Sequence, residues 1–143
     1  MRSLIFDFDG TIWDCRAISA KGYNAALAEM GITDRIYYSS FNHYSLLHVK
    51  EIDKSLPCGI LYDATLIKPW EYAKSLGVDA IHPHFSELQI PGEPEATHAA
   101  GLEINTWTVN DEKDNINTIH WGADRIITNY PDRAVALLKK IVG

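Results

Sequence analysis

The stretch Gly122-Ala123-Asp124-Arg125-Ile126-Ile127-Thr128-Asn129-Tyr130-Pro131 decides the fold. A glycine stops one helix, a short β-rich run follows, and a proline opens the first turn of the next helix. The stretch Gly77-Val78-Asp79-Ala80 has the same opening, a helix stop leading into a strand. Two such joins in one chain imply a repeated βα unit rather than a binding loop.

The rest of the chain extends the pattern in both directions. Short runs rich in Ile, Val, Tyr and Thr mark strands over residues 4–8, 35–39, 58–62, 80–83, 104–109 and 125–128. They are mostly apolar on both faces, as in buried parallel strands. Helical segments are expected over 15–30, 43–53, 68–76, 93–100, 111–121 and 131–142. Gly31, Gly77, Gly101 and Gly122 serve as stops and Pro131 as a start. Six strands alternating with six helices predict one α/β domain over residues 1–143, with about six parallel strands joined by helical crossovers.

Composition narrows the partners. The chain has 143 residues, 46% hydrophobic and 22% charged, which suits a single core. A formal net charge of -6 argues against nucleic acid or an anionic membrane, since both call for a basic face. No apolar run approaches the roughly 20 residues that span a bilayer. Asp7 and Asp9 break the apolar start, so no signal peptide is expected. Cys15 and Cys58 fit no metal or disulfide spacing and read as buried thiols of a reducing compartment, which points to the cytoplasm.

Two motifs carry candidate chemistry. In Asp7-Phe8-Asp9 the carboxylates stand two residues apart and share one side of a strand. Gly10 follows, so the pair should lie at the C-terminal edge of the sheet, where ligands of open α/β proteins bind. Paired carboxylates suit Mg2+, a hard ion that takes oxygen ligands. The second motif is His82-Pro83-His84, whose imidazoles could share one strand face. No third metal ligand accompanies them, so lining of a substrate pocket is the better reading. His43, His48, His98 and His120 read as loop or helix-surface residues.

Residues 3–14, Ser-Leu-Ile-Phe-Asp-Phe-Asp-Gly-Thr-Ile-Trp-Asp, resemble the first motif of haloacid-dehalogenase-like phosphohydrolases. That resemblance, extended over residues 1–34, implies Asp7 as nucleophile, Asp9 as general acid/base, and Thr11 near a transferred phosphate. The later Ser or Thr, the Lys and the acidic pair of that family find no match, so Asp7 and Asp9 also read as relics at a strand end.

Residues 35–143 resemble the last five βα units of glycerophosphodiester phosphodiesterase barrels. Ser39-Ser40-Phe41-Asn42-His43 matches the fourth strand and its helix, and Gly59-Ile60-Leu61-Tyr62 the fifth strand. Ala80-Ile81-His82-Pro83-His84 matches the sixth, Trp107-Thr108-Val109-Asn110 the seventh, and the Gly122–Pro131 stretch the eighth. The resemblance implies a pocket mouth lined by His84, Trp107 and Asn110, with Trp107 against a glycerol-like group. A barrel-core role suits Trp107 equally. The family's His-Arg-Gly, Glu-x-Asp and His-Asp motifs, and the Glu of its third strand, are not found.

The two resemblances together predict a truncated TIM-barrel-like curved sheet, in strand order 1-2-3-4-5-6, formed by a chimera. An open doubly wound sheet with strand 1 at its centre is the alternative. The function expected is that of phosphate-ester hydrolase fragments without efficient catalysis. Weak Mg2+-dependent hydrolysis and simple binding of phosphate or small phosphate esters are the alternatives. Open sheet edges predict a homodimer.

Overall fold

The computed structural model describes residues 4–7, 29, 31 and 36–142. Six strands form one sheet: β1 (Leu4–Asp7), β2 (Ile36–Ser40), β3 (Cys58–Tyr62), β4 (Ala80–Pro83), β5 (Glu103–Thr106) and β6 (Arg125–Ile126). All neighbours are parallel and the order is β1-β2-β3-β4-β5-β6. Sequential winding in one direction is that of a curled half-barrel. It corrects the doubly wound alternative, because β1 lies at an edge and not at the centre.

Among the described residues there are five α-helices, four of them the crossovers that parallel strands require and the fifth following the last strand. They are α1 (His43–Ile52), α2 (Pro69–Leu76), α3 (Glu93–Ala99), α4 (Glu112–His120) and α5 (Pro131–Val142). Pro69 and Pro131 occupy first positions, where a missing N–H costs nothing. Gly77 closes α2 at φ 69°, a left-handed conformation that a side chain resists. The helix expected over 15–30 lies mostly outside the described residues. A 3₁₀ turn, Phe85–Gln89, fell between the expected elements because so short a run shows no period. No helix among the described residues is long and apolar enough to cross a membrane.

The two faces of the sheet differ. Ile36, Tyr38, Cys58, Ile60, Ile81 and Ile104 face the helices and pack with Leu46, Val49, Ala73 and Leu88 in one core. Cys58 is buried there, which pushes its thiol up to about 12 and keeps it un-ionised. The other face is polar, contrary to the expectation of strands apolar on both sides. It carries Tyr37, Ser39, His82, Asn105, Glu103 and Arg125, joined by hydrogen bonds.

Candidate active-site mouth

Parallel strands send every βα loop to one edge, so residues far apart in the chain meet there. At this edge Phe41, His84 and Trp107, from three different units, form an aromatic cluster. Phe41 meets Trp107 edge to face at 5.3 Å between ring centres, and His84 meets it likewise at 5.3 Å. Phe85 stacks obliquely on His84 at 4.5 Å. Such edge-to-face pairs are the favoured geometry for rings. Phe41 remains 48% exposed, so the cluster presents an open aromatic platform.

Hydrogen bonds fix this platform. The Trp107 indole Nε1 donates to the His82 carbonyl at 2.7 Å. His84 Nδ1 shares a 2.8 Å bond with the Ser86 hydroxyl. Ser86 donates in turn to Glu87 at 3.2 Å, and Thr65 donates to the same carboxylate at 2.6 Å. Asn110, in the loop after β5, is a loop tether. Its Oδ1 accepts from the Thr128 hydroxyl at 3.3 Å and the Asn129 N–H at 3.1 Å.

Beneath the platform lies the polar network. Arg125 pairs with Glu103, and its Nη1 also donates to Asn105 Oδ1 at 3.4 Å. That contact orients the Asn105 amide, so Nδ2 donates to His82 Nε2 at 2.9 Å. His82 Nδ1–H then donates to the Ser39 hydroxyl at 2.8 Å. Tyr37 donates to Glu103, and the Arg125 guanidinium lies over its ring at 4.7 Å. Burial, then the nearby Arg125 charge, lowers His82 to about 3 and holds the ring neutral. Burial, then the bond to Glu103, raises Tyr37 above the usual phenol range.

The sequence reading of the site needs two corrections. His82 does not line a pocket: it is fully buried and both ring nitrogens are taken. It therefore shares no ligand with His84, which stands at the mouth. His43 is more than a surface residue, because its Nε2 bonds the Leu61 carbonyl at 2.9 Å. The network itself was missed. Its members sit at alternate positions of four strands, and no local pattern marks them as one group.

The candidates nearest the start of the chain are only partly placed. Asp7 is the last residue of β1, in register with Ser39 near the C-terminal end of β2. Asp9 and Thr11 lie outside the described residues. Among the described residues no group of three His, Cys, Asp or Glu side chains could hold a metal ion.

Comparison with known proteins places this edge in context. The Glycerophosphoryl diester phosphodiesterase family matches residues 14–133. A glycerophosphodiester phosphodiesterase of Caldanaerobacter subterraneus subsp. tengcongensis is 35% identical over 115 residues, covering 80% of this chain and 47% of that protein. One from Bacillus altitudinis is 32% identical over 111 residues, covering 77% of this chain and 45% of its own. The chain thus spans about half the length of the curated relatives it matches. Among solved structures, a phosphodiesterase from Parabacteroides distasonis superposes with a TM-score of 0.77 at 24% identity, over 99% of this chain and 59% of that one. A putative one from Galdieria sulphuraria gives 0.80 at 19% identity, over 99% and 57%. The matched span includes residues 14–34, which the sequence reading assigned to the phosphohydrolase-like unit, and crosses the supposed join. These findings support the second resemblance and give no support to the first. The chain belongs to the glycerophosphoryl diester phosphodiesterase family.

Proposed function

We propose that the mouth formed by Phe41, His84 and Trp107 is the substrate-recognising half of a glycerophosphodiester phosphodiesterase site. One observation carries this: rings from three βα units converge at the edge where barrels of this kind bind ligands. The Trp107 face offers an apolar surface to the C–H groups of a glycerol moiety. His84, whose ring meets Trp107 edge to face, supplies a polar group beside it.

This reading is one of recognition, and no step of it runs through Mg2+. The described residues do not by themselves form a cation site. A second reading, weak Mg2+-dependent hydrolysis at Asp7 and Asp9, is favoured by the position of Asp7 at the C-terminal end of β1. On that reading the start of the chain is a phosphohydrolase-like strand set beside a phosphodiesterase half-barrel.

Tryptophan fluorescence titration with glycerol 3-phosphate tests the proposal. Saturable quenching is expected, weakened about ten-fold in Phe41→Leu, while Trp107→Ala, which removes the reporting ring, should lose the signal and bind about ten-fold more weakly by calorimetry. Titrations with inorganic phosphate separate recognition of the glycerol from simple anion binding. Equal affinity for the two would overturn the aromatic platform as the recognition element.

A further inference from the structure

Two of the histidines near the C-terminal edge of the sheet have no ring nitrogen to spare. His43 shares Nδ1 with the Tyr72 hydroxyl at 3.1 Å and Nε2 with the Leu61 carbonyl at 2.9 Å. His82 is held on both sides by Ser39 and Asn105. His84 differs. Its Nδ1 meets the Ser86 hydroxyl at 2.8 Å, but its Nε2 bonds to nothing among the described residues. The ring is half-buried, and Nε2 is not one of the buried unpaired atoms, so that nitrogen keeps contact with solvent.

The neighbours of His84 decide which nitrogen carries the proton. The Glu87 carboxylate accepts from the Thr65 hydroxyl on one oxygen at 2.6 Å and from the Ser86 hydroxyl on the other at 3.2 Å. A serine hydroxyl has a single proton, and a carboxylate is the stronger acceptor. The Ser86 oxygen therefore turns its lone pairs to His84, and the 2.8 Å contact is a bond that Nδ1–H donates. The Ser86 backbone N–H also points at Nδ1, but from 3.4 Å, beyond the ordinary length of such a bond. With the proton on Nδ1, Nε2 is left as an acceptor. The turn that carries these groups is tied to the platform, because the Phe85 N–H donates to the Trp107 carbonyl at 3.0 Å.

We infer that His84 reads a hydroxyl of the glycerol moiety by accepting its O–H on Nε2, and that Thr65, Glu87 and Ser86 are positioning residues that hold the ring in that tautomer. This rests on the reading of the mouth as the glycerol-recognising half of the site and adds a selection to it. An aromatic face takes any chain of C–H groups. An acceptor of fixed tautomer favours a ligand that brings a hydroxyl and disfavours the analogue that lacks it.

Two measurements on the intact chain test the assignment. Nitrogen NMR of the imidazole rings, without ligand and at about pH 8, where an ordinary imidazole is neutral, should find the His84 proton on Nδ1. Calorimetric titrations then compare glycerol 3-phosphate with propyl phosphate, which has the same charge and chain length but no hydroxyls. Glycerol 3-phosphate should bind about ten-fold more tightly. His84→Phe, which keeps a ring and loses the acceptor, should erase that difference. Ser86 is exposed, so its variants leave the core untouched. Ser86→Ala should move the proton toward Nε2 and reduce the difference, and Ser86→Thr, which keeps the hydroxyl, should restore both. A proton on Nε2 in the parent, equal affinity for the two esters, or a preference indifferent to both His84→Phe and Ser86→Ala would overturn the assignment of His84 and leave the aromatic platform standing. Binding of neither ester would sink the platform, and this inference with it.

Discussion

Gly59 makes room for His82. A Cβ built on residue 59 would stand 2.1 Å from His82 Nε2 and 2.4 Å from Cδ2. The imidazole cannot swing away cheaply, since Ser39 and Asn105 hold its two nitrogens. Glycine at this strand position is thus a packing requirement and not a turn.

Gly59→Ala should therefore destabilise the protein by roughly 1–3 kcal/mol, the usual cost of overpacking a filled interior. A urea midpoint lowered without a change in slope would bear this out. Gly59→Ala combined with His82→Ala should recover part of the loss, because the ring that causes the clash is gone. If the single variant is as stable as the parent, the ring is not fixed as described.

Glu93 gives a pH signature. It is buried at the start of α3, and burial, followed by the neighbouring Glu87 charge, pushes it up to about 7. Between about 4.5 and 7 the folded state holds a proton that the unfolded state has released. Stability contributed by this group is full below 4.5 and is lost as pH rises through 7. His82 acts in the opposite sense. Its ring stays neutral in the fold down to about 3, so stability falls as pH drops below 6.5, where the unfolded ring takes up a proton. Glu93→Gln removes the first effect alone. It should gain roughly 1–3 kcal/mol over the parent on going from pH 4.5 to pH 7.5. Denaturation curves at the two pH values would decide the point, and parallel curves would discount it.

The fold was legible because its signals are local. Gly77, Pro69 and Pro131 set helix ends by backbone chemistry alone, and the apolar runs at 58–62 and 80–83 match β3 and β4 residue for residue. Edges of other elements shifted by a few residues where capping is weak; Asn42 and Asp111 make no side-chain cap bond. The site was legible only in part. Trp107 and His84 stood out by residue type and order along the barrel. Their partner Phe41 and the Ser39–His82–Asn105–Arg125 network did not, because those contacts join strands that no sequence period relates. The ancestry read from the Asp-x-Asp motif gains no support from the comparisons, whose family match runs over residues 14–133 and begins after the motif.

Self-association is a further expectation. Among the described residues β1 and β6 end the strand order, each with a single neighbour in the sheet. Beside β6, α5 leaves Val135, Leu138 and Ile141 exposed. An unpaired strand edge next to exposed apolar side chains favours pairing with a second copy. Sedimentation should show a concentration-dependent dimer, weakened ten-fold or more by Leu138→Glu. A monomer at high concentration would count against this.

The last expectation concerns catalysis by this chain. On the resemblance drawn from the sequence, the family's His-Arg-Gly, Glu-x-Asp and His-Asp motifs find no match within residues 1–143, and His82, the buried ring beneath the mouth, has both nitrogens engaged. Loss of one general acid or base typically forfeits about 10²–10⁴-fold in rate. The alcohol of a diester departs as an alkoxide unless something protonates it, so diester hydrolysis suffers most. An activated aryl phosphate ester needs no such proton, and slow Mg2+-dependent release of its phenolate is the most that Asp7 and Asp9 should support. Assays should thus find glycerophosphocholine unconsumed at ordinary enzyme rates, while glycerol 3-phosphate still quenches Trp107. Rapid turnover of glycerophosphocholine, abolished by Asp7→Asn or Asp9→Asn, would show instead that the start of the chain supplies a complete catalytic centre to this half-barrel.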